Sequence, residues 1–289
     1  EYQGEYVPPH ADRLRWLSGF SGSAGVAVVL ADKAAIFIDG RYTLQVQSEV
    51  HPDIFEPRHL TDAPPAEWIA EHLPEGAKLG FDPWLHTQRS ADGFRKAAEK
   101  AGAELIAVAD NPIDAIWGAQ PAAPIAPVVP HPMEYAGKSA DEKRSDLGAA
   151  LQKDDLDAAI LTAPDSIAWL LNLRGADVEC APLPYSFAIL KDDGQLQWFV
   201  DARKPVAELA EHLGNEVSSA PPEALGAALD QLAAQSAAVQ IDPAGAPDWA
   251  YQRLQAGGAK VIKKEDPCAL PKALKNETEL TGIRAAHNR

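Results

Sequence analysis

The residues of this sequence best suited to chemistry lie in two short stretches of its first fifty positions. Asp39-Gly40-Arg41-Tyr42 closes the apolar run that starts at Ala34. An Asp and an Arg at a strand end stand where open α/β sheets place ligand contacts. Arginine brings a rigid five-donor fork suited to carboxylates or carbonyl oxygens. The same residues also read as a structural Asp–Arg pair capping the following helix. The second stretch is Gly19-Phe20-Ser21-Gly22-Ser23-Ala24-Gly25. As a nucleophile elbow around Ser21 it fails, because position 23 is Ser and the loop precedes a strand instead of following one. As a dinucleotide loop it has the wrong spacing and the same wrong topology. Two readings stay open: a turn entering the next strand, or a loop whose glycines let a ligand approach the backbone.

Other chemistry is sparse. The eight His residues are scattered, and none sits in H-E-x-x-H. Glu71-His72 and Glu211-His212 fall near the ends of predicted helices, where a helix C-terminus explains a His more simply than a metal does. Cys180 and Cys268 are far apart, in no metal spacing, and read as two reduced, buried thiols of a cytoplasmic protein. The net charge of −16 argues against nucleic acid as a partner, since an acidic field repels phosphate. No apolar run reaches the ~18 residues that would predict a membrane span. The chain opens at Glu1 without a basic-then-apolar leader, which reads as a truncated start.

The elements that must position these residues occur twice. Trp16-Leu17 with Gly22 is answered 153 positions on by Trp169-Leu170 with Gly175. Ile36–Ile38 with Asp39 and Arg41 is answered 162 positions on by Trp198–Val200 with Asp201 and Arg203. Gly80–Pro83 is answered 160 positions on by Gln240–Pro243. The matched order predicts a duplicated fold. In the first copy the patterning predicts a hairpin of strands 24–30 and 34–39, helices over 41–50 and 65–73, and a strand over 78–81. A helix capped by Thr87 and ended by Gly102, then a strand over 105–108, complete that copy. In the second it predicts helices over 141–152 and 165–171, a strand over 158–161 and a hairpin of 187–190 with 197–201. Helices over 204–213, 222–233 and 247–254, with strands over 238–241 and 259–262, follow. Helices alternating with strands argue for α/β layers, and the hairpins make each sheet mixed. Between the copies, 118–133 carries Pro121, Pro124, Pro127, Pro130 and Pro132 and reads as a semi-rigid boundary.

Several stretches resemble the three-domain Xaa-Pro aminopeptidases of the creatinase/prolidase superfamily. Glu5-Tyr6, Ser18–Gly25 and Asp39–Tyr42 are similar to the first domain of that family. Ile167–Asp177 is similar to the second, and Lys275–His287 to the opening helix of the catalytic domain. The resemblance implies two tandem creatinase N-terminal-like domains, each a mixed sheet flanked by helices. The expected limits are 1–117, a linker over 118–134, 135–268, and a stub over 269–289. It also implies a helix and a strand ahead of Glu1, without which the first sheet has a bare edge.

The implied parent is a cytoplasmic metallopeptidase that removes the first residue from peptides with proline second, and is a homodimer. Its two divalent ions, manganese by family habit, sit on a catalytic domain whose ligands lie beyond Arg289. No metal and no catalytic residue is therefore expected here, and the chain alone is expected to be inactive. Arg41 matches the family arginine that reaches toward the peptide. Glu5, Tyr6 and Phe20 are weaker candidates for lining the same mouth. Arg203 follows Asp201-Ala202 and does not inherit the role. The alternative is a non-enzymatic peptide- or protein-binding module of creatinase-like domains. Hydrolysis of creatine or dipeptides uses one such domain as a rule, so the duplication counts against it.

Overall fold

Strands β1 (Gly25–Val29) and β2 (Ala34–Ile38) form the predicted antiparallel hairpin, described with the rest of residue 4 and residues 6–288 in a computed structural model. All five residues of β2 are buried, because both faces are covered. Side chains alternate across a strand. Ala35 and Phe37 therefore join Trp68, Ile69 and Ala98 in one core. Ile36 and Ile38 join Phe20, Val46 and Phe55 in the other. Strand β3 (Phe55–His59) runs parallel to β2 and sets His59 opposite Ile38. It escapes the sequence patterning because Pro57 interrupts it and Glu56 and Arg58 are polar. An outer strand tolerates a missing N–H, and β3 is the edge of the order β1-β2-β3. Strands β4 (Lys78–Phe81) and β5 (Glu104–Ala107) pair in parallel as a separate two-stranded sheet. Helices Pro65–His72 and Gln88–Lys100 lie where predicted, and Thr87 Oγ1 accepts from Ser90 N.

These elements belong to one compact unit, Gly4–Ala123; a second begins at Pro124. The proline-rich boundary thus divides between units, and its later part is structured. Val128 is fully buried, and β6 (Val129–Pro130) pairs with a strand further along the chain. In the second unit β7 (Ala158–Leu161), β8 (Leu173–Arg174), β9 (Phe187–Lys191), β10 (Leu196–Phe199), β11 (Val217–Ala220), β12 (Ala238–Ile241) and β13 (Lys260–Lys263) follow. Strand β8 is the partner of β6. The others make one mixed sheet in the order β11-β10-β9-β7-β12-β13. Helix Ala140–Lys153 starts at a reciprocal cap in which Ser139 Oγ accepts from Glu142 N while Glu142 Oε2 accepts from Ser139 N.

The duplication is visible strand by strand. Each of β1, β2 and β3 recurs 162 positions later as β9, β10 and β11, with the same antiparallel and then parallel pairing. The parallel pair β4 and β5 recurs as β12 and β13. One strand breaks the match. In the second unit β7 lies between β9 and β12 and joins the two halves of the sheet. Among the described residues of the first unit no strand joins β1 to β4.

Three expectations need correction. The helix predicted over 41–50 is a short 3-10 turn, Gly40–Tyr42, followed by a helical turn, Gln45–Glu49. The helix predicted over 204–213 is only Leu209–Leu213, because Lys204 is drawn inward to a buried carboxylate. Cys180 is exposed, in a turn where its φ is 62°, and only Cys268 is buried; both are free thiols.

Candidate functional site

Strand β2 delivers Asp39 to the edge of the first unit, and the local chemistry makes a turn there. Asp39 Oδ1 accepts from Arg41 N at 2.9 Å and from Arg41 Nε at 2.9 Å. The backbone N–H first, and the guanidinium second, hold the Asp39 carboxyl below the usual carboxylate range. The Arg41 side chain remains 56% exposed, with its guanidinium 5.2 Å from the Tyr42 ring centroid. The capping reading of the Asp–Arg pair is therefore correct as geometry, and it leaves the arginine facing outward. Gly40 has a separate reason to be glycine. A Cβ built on it would lie 2.9 Å from His59 Nε2. His59 ends β3, in parallel register beside the end of β2, so two strand C-termini converge here. His59 Nδ1 accepts from Thr61 N at 3.2 Å and Asp62 N at 3.3 Å. Nδ1 is thus occupied as an acceptor, and the Nε2 edge is turned to Gly40.

The glycine-rich loop is fastened from the same side. Ser21 N and Oγ donate to the Glu49 carboxylate at 2.8 and 2.7 Å. Gln45 Nε2 donates to both Ser21 Oγ and Glu49 Oε1. Burial raises the Glu49 carboxyl, but the Ser21 and Gln45 donors outweigh it and leave its pKa lowered. The Tyr42 hydroxyl accepts from Ser23 N at 3.2 Å and shares a proton with Ser23 Oγ at 2.8 Å. A Cβ on Gly22 would lie 2.3 Å from the Phe20 ring, so this glycine exists to let the ring fold under the loop. The turn reading accounts for these contacts.

Of the residues expected at a substrate mouth, Arg41 and Tyr6 are exposed. Phe20 is not: it is 1% exposed and packs with Ile36, Ile38 and Val46, so it supports the loop from beneath instead of lining a mouth. Glu5 lies outside the described residues. Sequence reasoning missed His59, which sits in a strand hidden by Pro57. The signal that could have found it is the parallel pairing of β2 with β3, which no local pattern reveals.

The second unit repeats the turn with other partners. Asp201 accepts from Arg203 N at 2.9 Å and from the guanidinium at Nε and Nη2. The guanidinium first, and the backbone N–H second, hold the Asp201 carboxyl far below its ordinary range. Ala202 stands where the first unit has Gly40, and Pro221 where it has His59. A separate cleft of about 680 Å³ in this unit is lined by His131, Lys143, Trp169, Arg174 and Glu279. Lys143 Nζ donates to Trp169 O at 2.8 Å and Asn172 Oδ1 at 2.6 Å, and lies 4.5 Å from the Trp169 ring centroid. Burial lowers its pKa to about 8. Among the described residues no group of three or more His, Cys, Asp or Glu is placed to hold a metal ion. A two-metal centre does not fit these described side chains. Nor is any described helix long and apolar enough to cross a membrane.

Comparison with known proteins agrees with the duplicated architecture. The model of the creatinase/prolidase N-terminal domain matches residues 7–116, and a second model of that description matches residues 119–279. A probable Xaa-Pro aminopeptidase P of Paracoccidioides brasiliensis (strain Pb03) is 35% identical over all of this chain and 49% of its own length. One of Coccidioides posadasii (strain RMSCC 757 / Silveira) is 36% identical over all of this chain and 48% of its own length. The crystal structure of X-prolyl aminopeptidase from Caenorhabditis elegans, described as a cytosolic enzyme with a di-nuclear active site, superposes with a TM-score of 0.91 at 26% identity. It covers 98% of this chain and 47% of its own. The chain thus spans about half the length of the relatives it matches. Two tandem domains of this kind, filling the chain between them, place it in the creatinase/prolidase N-terminal domain family.

Proposed function

We propose that this chain is the non-catalytic, two-domain amino-terminal portion of an Xaa-Pro aminopeptidase. The observation that carries this reading is coverage: the whole chain aligns with about half of each aminopeptidase. The two divalent ions, manganese among the candidates, then belong to a further domain. The limits 1–117 and 135–268 describe the two domains, and 269–289 opens the next. The parent is a cytoplasmic homodimer acting on peptides with proline second. Relatives that are themselves peptidases favour this over a non-enzymatic binding module.

In this reading the amino-terminal domains form one wall of the substrate cleft and orient the peptide. Arg41 is the residue that touches it, because its guanidinium is exposed while its Nε and N–H are anchored to Asp39. An anchored fork loses less freedom when it binds a carboxylate or carbonyl oxygen. Tyr6 is a second candidate at this mouth, on exposure alone.

The test has two arms. Arg41→Ala in the full-length enzyme is expected to raise KM for an Xaa-Pro peptide about tenfold with little change in kcat, the signature of lost uniform binding. Unchanged kinetics remove Arg41 from the cleft. The 289-residue chain alone, assayed with added manganese, is expected to turn over nothing; stoichiometric metal binding with hydrolysis overturns the reading.

A further inference from the structure

The two copies of the Asp-x-Arg turn separate what the fold requires from what a site requires. Both copies keep the carboxylate that accepts from the arginine N–H and Nε. That clamp is part of the scaffold. Two positions change together. The first copy pairs Gly40 with His59, and the second pairs Ala202 with Pro221 at the corresponding places. The change is coupled physically, because a Cβ at position 40 would fall 2.9 Å from His59 Nε2. The observed placement of the histidine ring therefore depends on the glycine, and this combination occurs beside Arg41 and not beside Arg203.

We infer that His59 is a positioning residue of the Arg41 site. Its imidazole packs edge-on against the bare α-carbon of Gly40 and holds the Asp39–Tyr42 turn so that Arg41 presents its fork to a carboxylate or carbonyl oxygen of the peptide. The ring is itself held. Nδ1 accepts from Thr61 N and Asp62 N. The Nε2 edge is thereby aimed at Gly40 from a strand end, and the side chain is only 31% exposed. Asp39 and Asp62 are charged groups close to it. Neither the Asp–Arg clamp nor the resemblance of Asp39–Tyr42 to the peptidases assigns anything to position 59. The inference rests on the Arg41 reading and adds the residue that makes one of two equivalent arginines a substrate contact.

The experiment is a double-mutant cycle in the full-length enzyme, reading KM and kcat for an Xaa-Pro peptide, with Tm as a folding control. His59→Ala and Gly40→Ala are each expected to raise KM about threefold to tenfold at nearly constant kcat, since small misplacements of a positioning group are costly. Gly40→Ala in the His59→Ala background is expected to add nothing, because the atom it would strike is gone. His59→Gln, whose amide reaches the Nε2 position, is expected to recover most of the loss. His59→Asn keeps only an acceptor near Nδ1 and is expected not to recover it. Should His59→Ala fold poorly, Gly40→Ala carries the test alone. If Arg41→Ala raises KM and the His59 and Gly40 variants do not, this inference is overturned while the Arg41 reading stands. If Arg41→Ala is itself silent, both fall. Additive effects at 40 and 59 overturn the coupling on which the inference is built.

Discussion

The five strands described in the first unit recur in the second with the same pairing, yet the two units invest their polar groups differently. The residue after the Asp-x-Arg turn shows it best. In the first unit Tyr42 reaches back to Ser23 in the glycine-rich loop. In the second, the equivalent residue is Lys204, which reaches back to Tyr185, the equivalent of Ser23, and donates to Asp177 at 2.7 Å. The tie has the same topology but opposite surroundings. The Asp177 and Lys204 side chains are 0% and 6% exposed, whereas the Tyr42 tie is half-buried. One copy has turned this corner into core, and the other has kept it as a wetted edge; the arginine of the turn faces outward in both, 56% exposed at Arg41 and 67% at Arg203. The difference teaches that a duplicated fold can keep the same strand pairing while one copy buries the polar tie at this corner and the other leaves it at the surface.

The sharpest way to break this comparison is to delete the tie in each unit. Lys204→Met leaves the Asp177 carboxylate buried without its counter-charge, holding only the Tyr185 N–H at Oδ2 and with an Oδ1 that already lacks a partner. Removing one partner of a buried pair costs roughly 3–5 kcal/mol. Tyr42→Phe removes a hydroxyl from a half-buried site and is expected to cost about 1 kcal/mol. Urea unfolding measures both, and equal losses would erase the contrast.

Amide exchange sharpens it next. Strand β9 is sandwiched between β7 and β10, while among the described residues β1 pairs with β2 alone. Amides of β1 are expected to exchange about tenfold or more faster than their counterparts in β9, since exposed backbone opens locally at lower cost. Equal protection would show the bare edge to be covered.

Helix Ala140–Lys153 has no counterpart among the described residues of the first unit, and its Lys143 offers a pH test. Its pKa is lowered to about 8 from an ordinary 10.5, chiefly by burial. Between those values the unfolded chain binds more protons than the folded one, so this group makes the protein more stable as pH rises from about 8 to 10.5. Lys143→Met is expected to remove that rise; a slope that survives the substitution assigns it elsewhere. The smallest effect is in acid. Both turn carboxyls are depressed, so their contributions are present above the ordinary carboxylate range and are lost as pH falls through the folded values. Carboxyl NMR is expected to show Asp201, gripped at both oxygens, titrating below Asp39.

The sequence was most legible where one residue type settled a local choice. Ala158–Leu161 and Ala238–Ile241 are strands at the predicted limits because short apolar runs can only be buried on both faces. Thr87 caps its helix because a hydroxyl accepts an otherwise orphaned N–H. It was least legible at β3 and β11. The first carries Pro57 and two charged residues, and the second reads Val-Ser-Ser-Ala; both are strands only because a neighbour completes their ladder.

Local pattern, then, was enough to determine the duplication, the α/β layering and the pairing of Asp39 with Arg41, because these depend on periodicity and on side chains a few positions apart. Only the tertiary structure could decide that Phe20 is core, that Lys204 turns inward, and that His59 stands over Gly40. Those facts depend on which strands lie side by side, and parallel pairing joins residues that no short-range spacing connects.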